Sequence, residues 1–159
     1  MNLEQFDKHI VKPTLNYINM GGLAARQLML GTAMVESGFE FIKQVGGGPA
    51  LSFYQIEPST YYDNYENYLD YPGRKHLKNL FIDMRSNELI GADQLICNLC
   101  YATAHARLKY YRSPKPLPKE FDYKAMAKYH KEIYNTVLGA TDISKSEAFF
   151  KTICERIVE

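Results

Sequence analysis

The sequence predicts a mainly α (α+β) fold, with residues 1–159 as a single domain, and three observations carry that reading. Apolar residues recur three or four apart along most of the chain, the spacing of one helix face. One Gly-rich stretch around residues 45–56 breaks this period and suits a small β element. The composition, 46% hydrophobic and 23% charged, is that of an ordinary globular domain, and the length suffices for one sizeable core.

The elements follow in order. Leu3, Phe6 and Ile10 share a helical face, and Pro13 starts or kinks a segment carrying Leu15, Tyr17 and Ile18. Met20-Gly21-Gly22 is a break. From Leu23 a second helix, with small residues at Ala24, Gly31 and Ala33, is expected to pack on several sides and to end near Gly38, which takes the left-handed conformation easily. Gly46-Gly47-Gly48-Pro49 cannot continue a helix, and Ala50-Leu51-Ser52-Phe53-Tyr54 reads as a strand or hairpin arm. Pro58 suits the first turn of a Tyr-rich helix that runs to Leu69, and Pro72-Gly73 is the next turn. A short helix is expected around Leu77 to Met84. One long buried helix is expected from about Glu88 to Tyr111, on the stripe of Leu89, Ala92, Leu95, Leu99, Ala102 and Ala106. After the extended loop of residues 113–118 comes a helix with Phe121, Ala125, Met126 and Tyr129. Ser144 and Glu147 have capping-box spacing and should open a last helix through Phe150, Ile153 and Ile157.

Several functions are disfavoured at once. Nineteen basic residues against 18 acidic ones leave a net charge of +1, so no nucleic-acid partner is expected. No apolar run approaches the ~20 residues of a membrane span. The first residues carry acids where a secretion signal needs Lys or Arg, so no signal peptide is expected. Cys97, Cys100 and Cys154 make no disulfide framework, and the C-x-x-C pair reads as two small core residues one helical turn apart. The four His show no metal-ligand spacing, and Gly46-Gly47-Gly48 lacks the Lys-Ser/Thr of a phosphate loop. No metal and no cofactor are expected.

The informative stretch is Gly31-Thr32-Ala33-Met34-Val35-Glu36-Ser37-Gly38 followed by the segment from Gly46 to Thr60. It sets a carboxylate at the end of an apolar helix, beside a Gly-rich turn that lets a second segment come close. Desolvation of such an acid disfavours its charged form, which favours holding a proton and donating it to a leaving oxygen.

This arrangement resembles the lytic transglycosylase and goose-type lysozyme superfamily. The Glu-Ser pair, the Gly-rich gap and the segment Gln55-Ile56-Glu57-Pro58-Ser59-Thr60 carry the resemblance. With Gly48-Pro49-Ala50, Asn98-Leu99-Cys100-Tyr101-Ala102-Thr103 through Arg107, and Tyr134-Asn135-Thr136, it looks most like transglycosylase-like proteins of tailed bacteriophages. The resemblance covers about Arg26 to Asn135 and implies a lysozyme-like domain.

It also implies roles. Glu36 matches the catalytic acid/base that protonates the glycosidic oxygen between N-acetylmuramic acid and N-acetylglucosamine, then takes the 6-hydroxyl proton as a 1,6-anhydro ring closes. Gln55 matches a substrate-binding amide. Ser52 stands where the family has Gly, and its side chain is expected to crowd the hairpin backbone. Glu57 is either a second carboxylate of a hydrolytic site or an orienting group. Tyr129 is favoured over Tyr134 as the phenol supporting Glu36. Ser52, Tyr54 and Glu57 join Gln55 and Tyr129 as expected substrate-binding residues, and Tyr61, Tyr62 and Tyr65 are further rings that can stack on sugars. The expected partners are peptidoglycan glycan strands and other phage virion or tail proteins, with action in the host periplasm or cell wall. The rival readings are a hydrolytic muramidase that uses Glu57 or Asp63 to activate water, a structural virion or ejection protein with a degenerate site, and a helical adaptor.

Overall fold

The computed structural model describes residues 1–134 and 142–159. Among these the protein is mainly α. Helix α1 spans 3–17, interrupted by a π turn at Asp7–Val11. Pro13 lacks an N–H and its ring crowds the carbonyl one turn back, and the widened turn just before it absorbs that misfit. The helix closes in a Schellman pattern: the Met20 N–H donates to Leu15 O and the Asn19 N–H to Asn16 O, with Asn19 left-handed at φ 57°. Asn19 thus turns the chain ahead of the predicted Gly21-Gly22 break.

Helix α2 (Leu23–Ser37) is buried on nearly every side and ends at left-handed Gly38, as its small residues and terminal Gly lead one to expect. Helix α3 covers 58–69, opening with Pro58 and ending in a second π turn at Tyr65–Leu69. Helix α4 is Lys75–Asp83.

The long helix expected from Glu88 to Tyr111 is instead two. A 3-10 turn at Gly91–Asp93 leads into α5 (Gln94–Cys97), the backbone breaks at Asn98, and α6 runs Leu99–Tyr111. Asn98 causes the break and repairs it. Its Oδ1 accepts from Tyr101 N at 3.0 Å, capping α6, while its Nδ2 donates to Met84 O at 2.7 Å. The break also overturns the reading of Cys97 and Cys100 as core residues on one helix: Cys97 is exposed and Cys100 half-buried, on opposite sides of Asn98.

Helix α7 is Tyr123–Ile133, capped by Asp122, and Phe121 lies outside it at φ 65°. Helix α8 is Ile143–Arg156. Its N-cap is Asp142, whose Oδ1 accepts from Ser144 N at 2.9 Å, so Ser144 sits inside the first turn rather than capping it. The expected β element is reduced to isolated antiparallel bridges, Lys43 to Leu51 and Leu51 to Ile56. Asn135 and Thr136 of the late motif lie outside the described residues.

One hydrophobic cluster draws on helices α1 to α8 and on the 51–56 segment. Helix α7 packs along α8, α8 along α2, and α1 against both α2 and α6. Buried Gln27 ties the ends together, donating to Ile157 O at 2.7 Å and accepting from Phe121 N at 2.9 Å. Arg26 on α2 forms a buried two-point pair with Asp7 in the π turn of α1. These contacts anchor α2, whose far end carries Glu36.

Candidate active site

Glu36 lies in the last turn of α2, with its side chain 18% exposed. Ser37, the second residue of the Glu-Ser pair, explains how that turn is held. Its Oγ donates to Phe53 O at 2.8 Å and is within 3.0 Å of Ala33 O, binding the helix end to the 52–55 turn. Two more side chains grip the same turn. Tyr134 donates its hydroxyl to Tyr54 O at 2.7 Å, and Tyr54 shares a 3.0 Å hydroxyl contact with Thr103 on α6. The turn beside Glu36 is therefore pinned from α2, from α6 and from the end of α7.

Within this turn, Ser52 is left-handed at φ 67° and Gln55 at φ 47°. That backbone explains why Gly suits position 52, and the structure corrects the expected crowding. The Ser52 side chain fits without displacing the turn, its Oγ accepting from Tyr54 N at 3.1 Å. Ser52 and Tyr54 are 0% and 1% exposed, so their side chains cannot touch a ligand as expected; they build the turn. The Tyr54 hydroxyl is pushed well above the usual phenol range, chiefly by burial. Gln55 is half-buried, and its Nε2 donates back to Ser52 O at 2.9 Å.

The tyrosine assignment also changes. Tyr129 is 5% exposed, donates its hydroxyl to Lys115 O in the Pro-rich loop at 3.1 Å and stacks on Tyr110. The phenols whose ionisation the charge of Glu36 opposes are Tyr110 and Tyr134, both held far above the ordinary range mainly by burial. Tyr134, not Tyr129, turns its hydroxyl to the 52–55 turn beside Glu36.

A residue with no signal in the sequence completes the site. His130 on α7 is 1% exposed, and its Nε2 lies 3.0 Å from Glu36 Oε1. The ring N–H direction is bent off that oxygen, so the contact is short without being an in-line hydrogen bond. On its other side, His130 Nδ1 is 2.8 Å from Tyr110 Oη, which is 2.7 Å from Thr32 Oγ1. Thr32 in turn donates to Leu28 O at 2.8 Å. Only the spatial meeting of α2, α6 and α7 reveals this line of groups; the one local hint is that Thr32 and Glu36 share a helix face.

Lys109 joins the carboxylates. Its Nζ donates to Tyr134 O at 2.7 Å, and burial lowers its pKa against the opposing charges of Glu36 and Glu57. Glu57 is exposed, in extended backbone just before α3, and its charge, like that of Glu36, opposes the lowering of the Lys109 pKa. Asp63 is committed elsewhere, accepting from Arg112 at 2.6 Å and from Asn67 at 2.6 Å, which holds its carboxyl below the usual range. Tyr61 and Tyr65 are core residues bonded to Tyr101, whereas Tyr62 exposes half its ring. A cavity of about 450 Å³ adjoins Glu36, lined by Met34, Phe41, Asp142, Lys145 and Phe149 among others.

The chain matches no family model, no curated protein and no solved structure among those compared.

Proposed function

We propose that this protein is a peptidoglycan lytic transglycosylase with a lysozyme-like fold, cleaving the N-acetylmuramic acid–N-acetylglucosamine bond with Glu36 as the acid and then the base. The observation that carries the reading is the tie from Ser37 to Phe53, which sets the end of α2, with its part-exposed carboxyl, against the turn that presents Gln55. A carboxyl so held can protonate a leaving oxygen and then receive the sugar 6-hydroxyl proton, with no further nucleophile required. The motifs similar to those of tailed-phage proteins extend the proposal to a virion-borne enzyme that meets the host cell wall, with other virion proteins as partners.

The deciding experiment digests purified sacculi with the wild type and with Glu36→Gln and weighs the soluble muropeptides. Anhydro ends that resist borohydride, released by the wild type and at least about 100-fold less by the variant, are the expected result. Release of reducible ends would replace the transglycosylase with a muramidase. A folded wild type that releases nothing would leave a structural virion role.

The muramidase is the second reading because Glu57 stands at the start of α3, just past the 52–55 turn that Ser37 ties to the end of α2. A second carboxylate near the acid is what activation of water requires. Under that reading Glu57→Gln abolishes release, whereas under the transglycosylase reading it lowers release by less than about tenfold.

A further inference from the structure

The segment between α4 and α5 walls a second cavity of about 780 Å³, which Glu36 does not line. That volume falls in the ~300–1,000 Å³ range of small-molecule sites. Four hydrogen bonds hold the wall in place. Arg85 N donates to Ile82 O at 3.0 Å, and Met84 O accepts from Asn98 at 2.7 Å. Ser86 N donates to Gln94 Oε1 at 2.7 Å, and Arg85 Nε donates to Tyr65 Oη at 3.3 Å. The Arg85 guanidinium also lies 4.8 Å from the centre of the Tyr65 ring.

The bond from Ser86 fixes the Gln94 amide. A backbone N–H can only donate, so the atom that meets it is the oxygen and the far end of the amide is the NH₂. Gln94 is 2% exposed and lines the cavity, and its Nε2 has no hydrogen-bond partner among the described residues. Nor is Nε2 sealed in, since the sealed and unpartnered side-chain atoms belong to Thr14, His105 and His130. It opens on the cavity with hydrogens to donate.

Asp83 and Arg85 line the same cavity with opposite charges, two positions apart. No ion pair among the described residues includes either of them. Beside them Ile82, Leu89 and Ile90 leave apolar surface exposed. Guanidinium and amide donors suit a carboxylate, and the Asp83 carboxylate suits an ammonium. A ligand with a carboxylate alone would be repelled by Asp83, and one with an ammonium alone by Arg85. An α-amino-acid zwitterion carries both groups on one carbon and satisfies both.

We propose that this cavity binds the α-amino-acid zwitterion at the unlinked end of a diamino acid in a peptidoglycan peptide stem. Its carboxylate meets Arg85 and Gln94 Nε2, its ammonium meets Asp83, and its hydrocarbon chain lies along Ile82, Leu89 and Ile90. Tyr61, one helical turn past Glu57, lines the cavity too, which places it along α3 from the 52–55 turn. The zwitterion stands on the cavity alone, whereas the wall peptide as its source rests on the glycan-cleaving function proposed above.

The test has two arms. The first titrates ¹⁵N-labelled full-length protein with meso-diaminopimelate, whose two ends present the zwitterion in both hands. The Gln94 Nε2 signals are expected to shift saturably with a Kd below about 10 mM. The diacetyl derivative, which lacks the ammonium, and the diamide, which lacks the carboxylate, are expected to bind at least about tenfold more weakly. Asp83→Asn and Arg85→Gln should each weaken binding to the same degree, and Asp83→Asn breaks no ion pair among the described residues should Arg85→Gln fail to fold. No saturable shift, equal binding of either derivative, or wild-type affinity in either folded variant overturns the site. The second arm uses soluble muropeptides whose diamino acid is either free or cross-linked through its amine. The free-ended form is expected to shift the same signals and the cross-linked form to bind at least about tenfold more weakly. Diaminopimelate binding without binding of the free-ended form overturns the wall peptide as source. A wild type that binds both and releases nothing from sacculi overturns the glycan cleavage, while the cavity keeps its ligand.

Discussion

Gly31 and Ser52 invert the usual expectations for their residue types. Replacing a mid-helix glycine with alanine normally gains stability, by about 1 kcal/mol. At Gly31 an added Cβ would overlap the ring of Phe150 on α8, which is wholly buried and has no room to retreat. Gly31→Ala is therefore expected to lose about 1–3 kcal/mol in urea unfolding, and a gain would show that α2 and α8 do not approach this closely. Ser52 runs the other way. Its left-handed backbone favours glycine, but Ser52→Gly also loses the bond from Tyr54 N, so the two effects offset and stability should stay within about 1 kcal/mol. At this scale the candidate site was legible only where its signal is local. Glu36 and Ser37 are adjacent, at a helix end marked by Gly38, beside the Gly-rich stretch. His130 was not legible, because its meaning lies in Tyr110, Thr32 and Glu36, which come from two other helices. Tyr129 and Tyr134 illustrate the same limit. Five positions apart, they project in different directions, and only the packing decides which one turns its hydroxyl to the 52–55 turn.

Among the elements, apolar spacing located the helices well and their ends less well. The stripe from Ala92 to Ala106 is compatible with one straight helix or with two that share a buried side, since Leu95 and Ala102 face the core in either case. What separates α5 from α6 is a pair of side-chain bonds made by Asn98, one of them to Met84 beyond the end of α4. Periodicity carries no trace of that tertiary bond. Asn98→Ala removes both bonds and is expected to cost about 1–2 kcal/mol, read as a lower denaturation midpoint, whereas Asn98→Ser keeps a capping oxygen and loses the bond to Met84. Equal costs for the two variants would show that the cap contributes nothing. The cap at Asp142 was not legible for a related reason: two capping residues two positions apart compete, and the winner is set by where the chain arrives. Pro13 was legible as a disturbance, though not as the π turn that accommodates it.

For the molecule as a whole, stability should depend on pH through a histidine remote from Glu36. His105 on α6 is 0% exposed, enclosed by the rings of Tyr61, Tyr65, Phe81 and Tyr101. Burial, aided by the positive charge of Arg85, pushes it from an ordinary 6.5 down to about 3. Asn64 helps keep the ring neutral. Its Oδ1 accepts from Arg112 at 3.0 Å, so its Nδ2 is the group that donates to His105 Nδ1, across 3.1 Å. Between pH 6.5 and about 3 the unfolded chain therefore binds a proton that the native protein refuses. The stabilisation from this neutral ring is complete above pH 6.5 and is lost as the pH falls towards 3, by about 1.4 kcal/mol per unit at most. Asp63, held below its ordinary value by Asn67 and Arg112, acts in the same direction but only below its unfolded pKa of 3.8. The interval from pH 6.5 to 4.5 thus belongs to histidine. His105→Gln keeps an acceptor for Asn64 and cannot take up a proton in this range. The variant should be less stable than wild type at pH 7 and flatter between pH 6.5 and 4.5, the two curves converging as the pH falls. Parallel curves in urea titrations across that interval would mean that His105 is protonated in the native core, and that the aromatic enclosure does not exclude charge as its burial implies.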